Sequence, residues 1–151
     1  MSNGGDRPRC VAIIMDGNAR WADQRGVGVL EGHREGARTL KRIIRVLGEV
    51  GIDELTVFAF STENWTRPPA EVSGLMELFA ELIASELPEL HEEGVRVRFV
   101  GRRDRVSAGL LERIEWAEKL TGSHDERTLF VAFDYGGRAE ILDAAGAYEG
   151  G

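Results

Sequence analysis

Val11-Ala12-Ile13-Ile14-Met15-Asp16-Gly17-Asn18-Ala19-Arg20-Trp21 is the stretch whose reading decides the fold. Its opening Val-Ala-Ile-Ile is a continuous apolar run, the pattern of a buried strand in a parallel sheet. The run stops at Asp16-Gly17-Asn18, and Arg20 and Trp21 follow at once. In open α/β sheets the C-terminal ends of strands are where ligands bind. An acid, a glycine that admits close backbone approach and an arginine at such a place suit an oxyanion with its cation, and they point to a diphosphate. Position alone gives Asp16 an equal claim to be a turn or cap residue.

Outward from this strand, taken as Val11–Met15, strand-like and helix-like segments alternate. Ala37, Leu40, Ile43, Ile44 and Leu47 follow three-and-four spacing and predict a helix over His33–Val50, stopped by Gly51. Glu54–Phe60 reads as a second strand, and Ser61–Ala70 as a polar loop stiffened by Pro68-Pro69. A long helix is predicted over Glu71–Glu92, with a stripe from Val72 to Leu90 wider than one sheet contact needs. That stripe is either ordinary core or, with Ala37, Ala59, Ala80 and Ala84, the wall of an apolar cleft. Val95–Val100 alternates as a third strand, Ser107 caps a helix over Ala108–Leu120, and Thr128–Phe133 is a fourth strand. A short helix near Arg138–Ala147 closes the chain. This order predicts an α/β fold, one parallel sheet with helices on both faces. Residues 1–9 read as a disordered polar leader and residues 10–151 as a single domain.

Composition narrows the function. At 151 residues with 42% hydrophobic and 30% charged residues, the chain is one ordinary globular domain. A formal charge of −7 leaves no basic surplus for a nucleic-acid partner. Cys10 is the only cysteine, which excludes an internal disulfide and a thiolate metal cluster. No apolar run is long enough for a transmembrane segment and no targeting peptide opens the chain, so a cytoplasmic protein is expected.

Three other places carry chemistry. His33, in Glu31-Gly32-His33, is expected at a helix start, where it can donate to a phosphate oxygen or simply cap. The loop Ser61-Thr62-Glu63-Asn64-Trp65-Thr66-Arg67 follows the second strand and shares a sheet edge with Asp16. It offers hydroxyls, a carboxylate, an amide, an indole and a guanidinium. Arg102-Arg103-Asp104-Arg105 reads as a solvated charge run.

With these residues assembled, the chain resembles the cis-prenyltransferases of the undecaprenyl diphosphate synthase type. The segments that carry the resemblance are VAIIMDGNARWA (Val11–Ala22), GHREGA (Gly32–Ala37), LTVFAFSTENWTRP (Leu55–Pro68), EVSGLMELF (Glu71–Phe79) and AFDYGGRAEI (Ala132–Ile141). The resemblance implies a transferase of isoprenoid biosynthesis that condenses isopentenyl diphosphate with an allylic prenyl diphosphate to a cis-polyprenyl diphosphate. It implies that Asp16 holds Mg²⁺ and assists departure of the allylic diphosphate. Gly17, Asn18, Ala19, Arg20 and His33 would cradle that diphosphate with Trp21 beside them. Ser61, Thr62, Glu63, Trp65 and Arg67 would belong to the substrate loop, and Asn64 matches the residue that receives the proton. A lipid product would bring peripheral membrane contact, and the family's assembly is a homodimer.

The chain departs from the family pattern at three places. Val29 stands where an arginine is usual, Cys10 and Asp134 replace a histidine and an asparagine, and the sequence stops at Gly151 where the family continues. In the family that further segment supplies the isopentenyl diphosphate site, a second metal-binding carboxylate and much of the dimer surface. Two alternatives share the motifs: a non-catalytic or partner-dependent prenyl-diphosphate-binding subunit, and an inactive truncated fragment.

Overall fold

The computed structural model describes residues 8–148. Most of the expected leader lies outside them, but Arg9 already belongs to the fold. Its carbonyl accepts the Asp53 and Glu54 N–H groups at 3.0 Å, and its guanidinium pairs with Asp53 at 2.7 Å.

Four strands form one sheet in the order β1-β2-β4-β3, every neighbouring pair parallel: β1 (Cys10–Ile14), β2 (Glu54–Ser61), β3 (Val95–Val100) and β4 (Arg127–Tyr135). Between them run α1 (Asn18–Gln24), α2 (Val29–Glu49), α3 (Pro69–Glu92) and α4 (Ala108–Leu120), and α5 (Gly137–Ala147) follows β4. The parallel α/β architecture is as expected. Pro69 occupies the first turn of α3, where its missing N–H costs nothing, so the helix starts two residues earlier than its apolar stripe suggests. Ser107 Oγ accepts the Leu110 N–H at 3.4 Å, the cap read from the sequence.

Register sorts the strand residues into two faces. Val11, Leu55, Leu129 and Val97 lie in one row, and Ile13, Val57, Val131 and Phe99 in the next. These rows pack beneath α2 and α3, where Ile44, Leu75 and Leu87 are buried. A register shift between Phe58 and Phe60 turns Phe60 onto the same side, stacked 5.4 Å from Phe133.

The opposite face has no buried cluster among the described residues, a more one-sided arrangement than helices on both faces. Arg96 and Arg98 of β3 lie on it and give a helix little apolar surface to cover. Ile14 is 77% exposed there. α4 instead buries Leu110 and Ile114 against α3 and runs beside the free edge of β3. Thr121 Oγ1 accepts the Val97 N–H at 3.0 Å and Glu118 Oε1 the Phe99 N–H at 2.9 Å, so the unpaired strand edge is satisfied by side chains.

Candidate functional site

The site begins where β1 ends. Gly17 adopts φ +85°, a conformation open to glycine, and turns the chain directly into α1. That helix is not legible in the sequence: seven residues are too few for a clear period, and Asn18-Ala19-Arg20-Trp21 read as ligand loop. Asp16 Oδ1 accepts the Gly17 N–H at 2.6 Å, and Arg20 Nη2 lies 3.4 Å from Asp16 Oδ2. Both side chains stay open to solvent, 79% and 77% exposed. Ala19 is exposed beside them, and Trp21 lies under the Arg25 guanidinium, 4.2 Å from the ring centre.

Two glycines let α2 close on this turn. A Cβ at Gly32 would stand 2.2 Å from the Asn18 carbonyl oxygen, and one at Gly36 2.7 Å from Asn18 Oδ1. The spacing Gly32-His33-Arg34-Glu35-Gly36 is thus the footprint of Asn18 on α2. Asn18 Nδ2 reaches His33 Nδ1 at 3.4 Å.

His33 is not at a helix start as expected. α2 begins at Val29, so His33 sits one turn in, and its ring rather than a free backbone N–H is what it offers an anion. Its Nε2 is shut off from solvent with no hydrogen-bond partner. Burial first, then the positive field of Arg67, push its pKa below the ordinary value, so the ring is neutral at pH 7.

The loop after β2 divides into two roles. Thr62–Thr66 form a tight 3₁₀ turn in which Ser61 N–H donates to Asn64 Oδ1 at 3.0 Å. Thr62 Oγ1 donates to Glu63 Oε2 at 3.1 Å, and hydrogen bonds from its own backbone, Ser61 and Thr62 hold the Glu63 carboxyl below its usual range. Arg67 pairs with Glu71 at 2.9 Å. Trp65, read as the indole of this loop, packs edge-on to Phe60 at 5.3 Å and donates Nε1–H to Asp134 Oδ1 at 2.9 Å.

Asp134 is the residue whose importance the sequence concealed. It is fully buried, adopts φ +48°, and binds Arg105 through both carboxylate oxygens as well as Trp65. Asp and Asn tolerate that left-handed backbone better than other side chains. Arg105 therefore leaves the solvated run to which the sequence assigned it. Arg103 does too, by clasping Glu118 at 2.9 and 3.0 Å.

Beneath Asn18 and His33 opens a cavity of about 160 Å³ between α2, α3 and the sheet, walled mainly by apolar side chains such as Leu40, Ala59, Leu82 and Phe133. The broad stripe on α3 is therefore both core and cleft wall. Asp16 and Arg20 lie on the same strand-end turn as Asn18, which joins that turn to the cavity mouth. No group of three or more His, Cys, Asp or Glu side chains that could hold a metal occurs among the described residues. A magnesium ion is commonly held by one or two carboxylates together with substrate phosphates, and an exposed Asp16 with free lone pairs fits that mode.

Residues 14–149 match the prenyltransferase family model described as undecaprenyl diphosphate synthase. An isoprenyl transferase of Caulobacter vibrioides is 52% identical over 138 residues, 91% of this chain and 53% of that protein. One from Aquifex aeolicus is 52% identical over 139 residues, again 91% of this chain and 59% of that protein. The chain thus spans a little over half the length of these curated relatives. Among solved structures, lavandulyl diphosphate synthase from Lavandula x intermedia, in complex with dimethylallyl diphosphate, superposes with a TM-score of 0.87 at 36% identity. That match covers 91% of this chain and 59% of the other.

Proposed function

The chain belongs to the undecaprenyl diphosphate synthase family of prenyltransferases, and on that premise we propose that its residues form the allylic-substrate site of a cis-prenyltransferase. The observation that carries the reading is a buried, unpartnered His33 Nε2 lining an apolar cavity, with the His33 ring joined through Asn18 to the strand-end turn that carries Asp16. A prenyl diphosphate has the same division: an anionic head that needs donors and a hydrocarbon tail that needs none.

In this reading the diphosphate lies over the β1 turn. Asn18 and Arg20 donate to its oxygens, with His33 as a further donor in the matching tautomer or when protonated, and Gly17 keeps the backbone close. Ser61, Thr62, Glu63 and Arg67 line the neighbouring strand end. Asp16 would hold Mg²⁺, which when bound would supply positive charge to offset that developing on the departing diphosphate. As the allylic carbon–oxygen bond breaks, a new bond forms to the terminal methylene of isopentenyl diphosphate, and a proton leaves the adjoining chain. Asn64, held in the loop by the Ser61 N–H that its Oδ1 accepts, receives that proton in this reading and hands it to a diphosphate oxygen. The substrates are soluble diphosphates, which suits cytoplasmic work, and no helix of the described residues is long and apolar enough to cross a membrane.

The test is product formation from farnesyl diphosphate and radiolabelled isopentenyl diphosphate with Mg²⁺. Asp16→Ala is expected to abolish it; turnover undiminished in that variant would overturn the assignment.

A further inference from the structure

The cavity is too small for a long tail unless its walls move. Its volume is about 160 Å³. A leucine- and phenylalanine-lined cavity of about 150 Å³ holds a benzene ring, so this one has room for about one five-carbon isoprenoid unit. α2 and α3 are its outer walls, and any longer tail requires them to part.

Those walls meet through a row of ions. Arg34 pairs with Glu81 at 3.1 Å, Lys41 with Glu86 at 2.7 Å and Arg45 with Glu93 at 2.9 Å, while Glu89 is gripped by both Lys41 and Arg45. At every rung the cation belongs to α2 and the carboxylate to α3 or, for Glu93, to the residue that caps its end. Residues 34, 41 and 45 share one face of α2, and residues 86, 89 and 93 follow three-and-four spacing along α3 and its cap, so most rungs follow the helical repeat. Lys41 and Glu86 also line the cavity, and Glu86 Oε2, shut off from solvent, has the Lys41 ammonium as its ion-pair partner. The seam thus closes the solvent side of an otherwise apolar space.

We propose that this ionic seam sets the tail-length preference of the site: it holds α2 and α3 around one isoprenoid unit and opens only when a longer tail displaces it. The inference rests on the reading of the cavity as the prenyl-tail site. Partly exposed ion pairs are individually weak and are screened by salt, so a long tail can break the row at a cost in affinity. Lys41, Arg45 and Glu89 are accordingly specificity-determining residues that need not touch the reacting atoms.

The experiment compares the binding of dimethylallyl and farnesyl diphosphate to the full chain by calorimetry with Mg²⁺, at low salt and at about 0.5 M KCl. Salt weakens the diphosphate contacts of both ligands alike, so their affinity ratio isolates the tail. Glu89→Gln, which removes two rungs, is expected to raise the farnesyl-to-dimethylallyl ratio about threefold to tenfold at low salt. Arg45→Gln, which also removes two, should do the same. High salt should raise the ratio for the unaltered chain and raise it less in both variants, which keep three of the five pairs. Arg42→Gln, a charge loss whose partner Glu35 is on α2 itself, should have no effect. If both ligands bind and the ratio ignores salt and both seam variants, the inference is overturned while the site reading stands. If neither ligand binds, the site reading fails and the inference falls with it.

Discussion

Gly32→Ala puts the construction of the site under direct strain. The new Cβ would lie 2.2 Å from the Asn18 carbonyl oxygen and 3.2 Å from Ala22 Cβ. Ordinary contact begins at 3.4 Å, so the start of α1 must retreat by about 1.2 Å. Overpacking of this kind costs about 1–3 kcal/mol. For a domain of this size each kcal/mol lowers Tm by about 2–4 °C, so a fall of about 2–12 °C is expected in a calorimetric melt. The functional loss should be larger, because a displacement of about 1 Å of positioned groups costs on the order of a hundredfold in rate. Gly28→Ala is the control: its backbone is extended at φ −66° and nothing lies within 4 Å of an added Cβ. That variant should melt with the parent or slightly above it. A Gly32→Ala chain that matches the parent in both melting and turnover would refute the claim that α2 positions Asn18 by close approach.

Three further outcomes are expected. Asp134→Ala, which strands the Arg105 guanidinium and the Trp65 indole N–H, should cost about 2–4 kcal/mol in urea unfolding and change tryptophan emission; Asp134→Asn, which tolerates the left-handed backbone, should cost less. Burial holds His33 below its ordinary pKa of 6.5, so it contributes nothing to the pH dependence well above that value. As pH falls through 6.5 the unfolded chain takes up a proton that the folded chain resists, and stability declines; His33→Gln should lessen that slope. Cys10 donates its S–H to Glu54 Oε2 at 3.1 Å, which raises the thiol pKa, so alkylation at pH 8 should be slower than for a free thiol and faster in Glu54→Gln. Equal alkylation rates in the two chains would contradict it.

The sequence announced what depends on local order and withheld what depends on distant partners. Val11–Ile14 and the Ser107 cap are local signals, and they located a strand and a helix start to within a few residues, whereas Pro68-Pro69 read as loop although Pro69 opens α3. Asp134 draws its meaning from Trp65 and Arg105, partners 69 and 29 residues away, which no window along the chain contains. The packing of Trp65 against Phe60 and its bond to Asp134 were hidden for the same reason. The open sheet face did leave a trace: Arg96 and Arg98 alternate with Val95 and Val97, the pattern of a strand covered on one side only. Asp16 and Gly17 line a hollow at the end of β1 and His33 lines the apolar cavity, with Asn18 on both, but the role of Gly32 and Gly36 in bringing α2 onto Asn18 emerges only in three dimensions.

The central claim is that a metal-bound diphosphate sits on the β1 turn with His33 above the tail. An NMR titration with dimethylallyl diphosphate and Mg²⁺ tests it most directly. The amide signals of Asp16, Gly17 and Asn18 and the ring signals of His33 should move together, and the metal-dependent part should vanish in Asp16→Ala. Saturable binding that leaves those four residues unmoved would contradict the account.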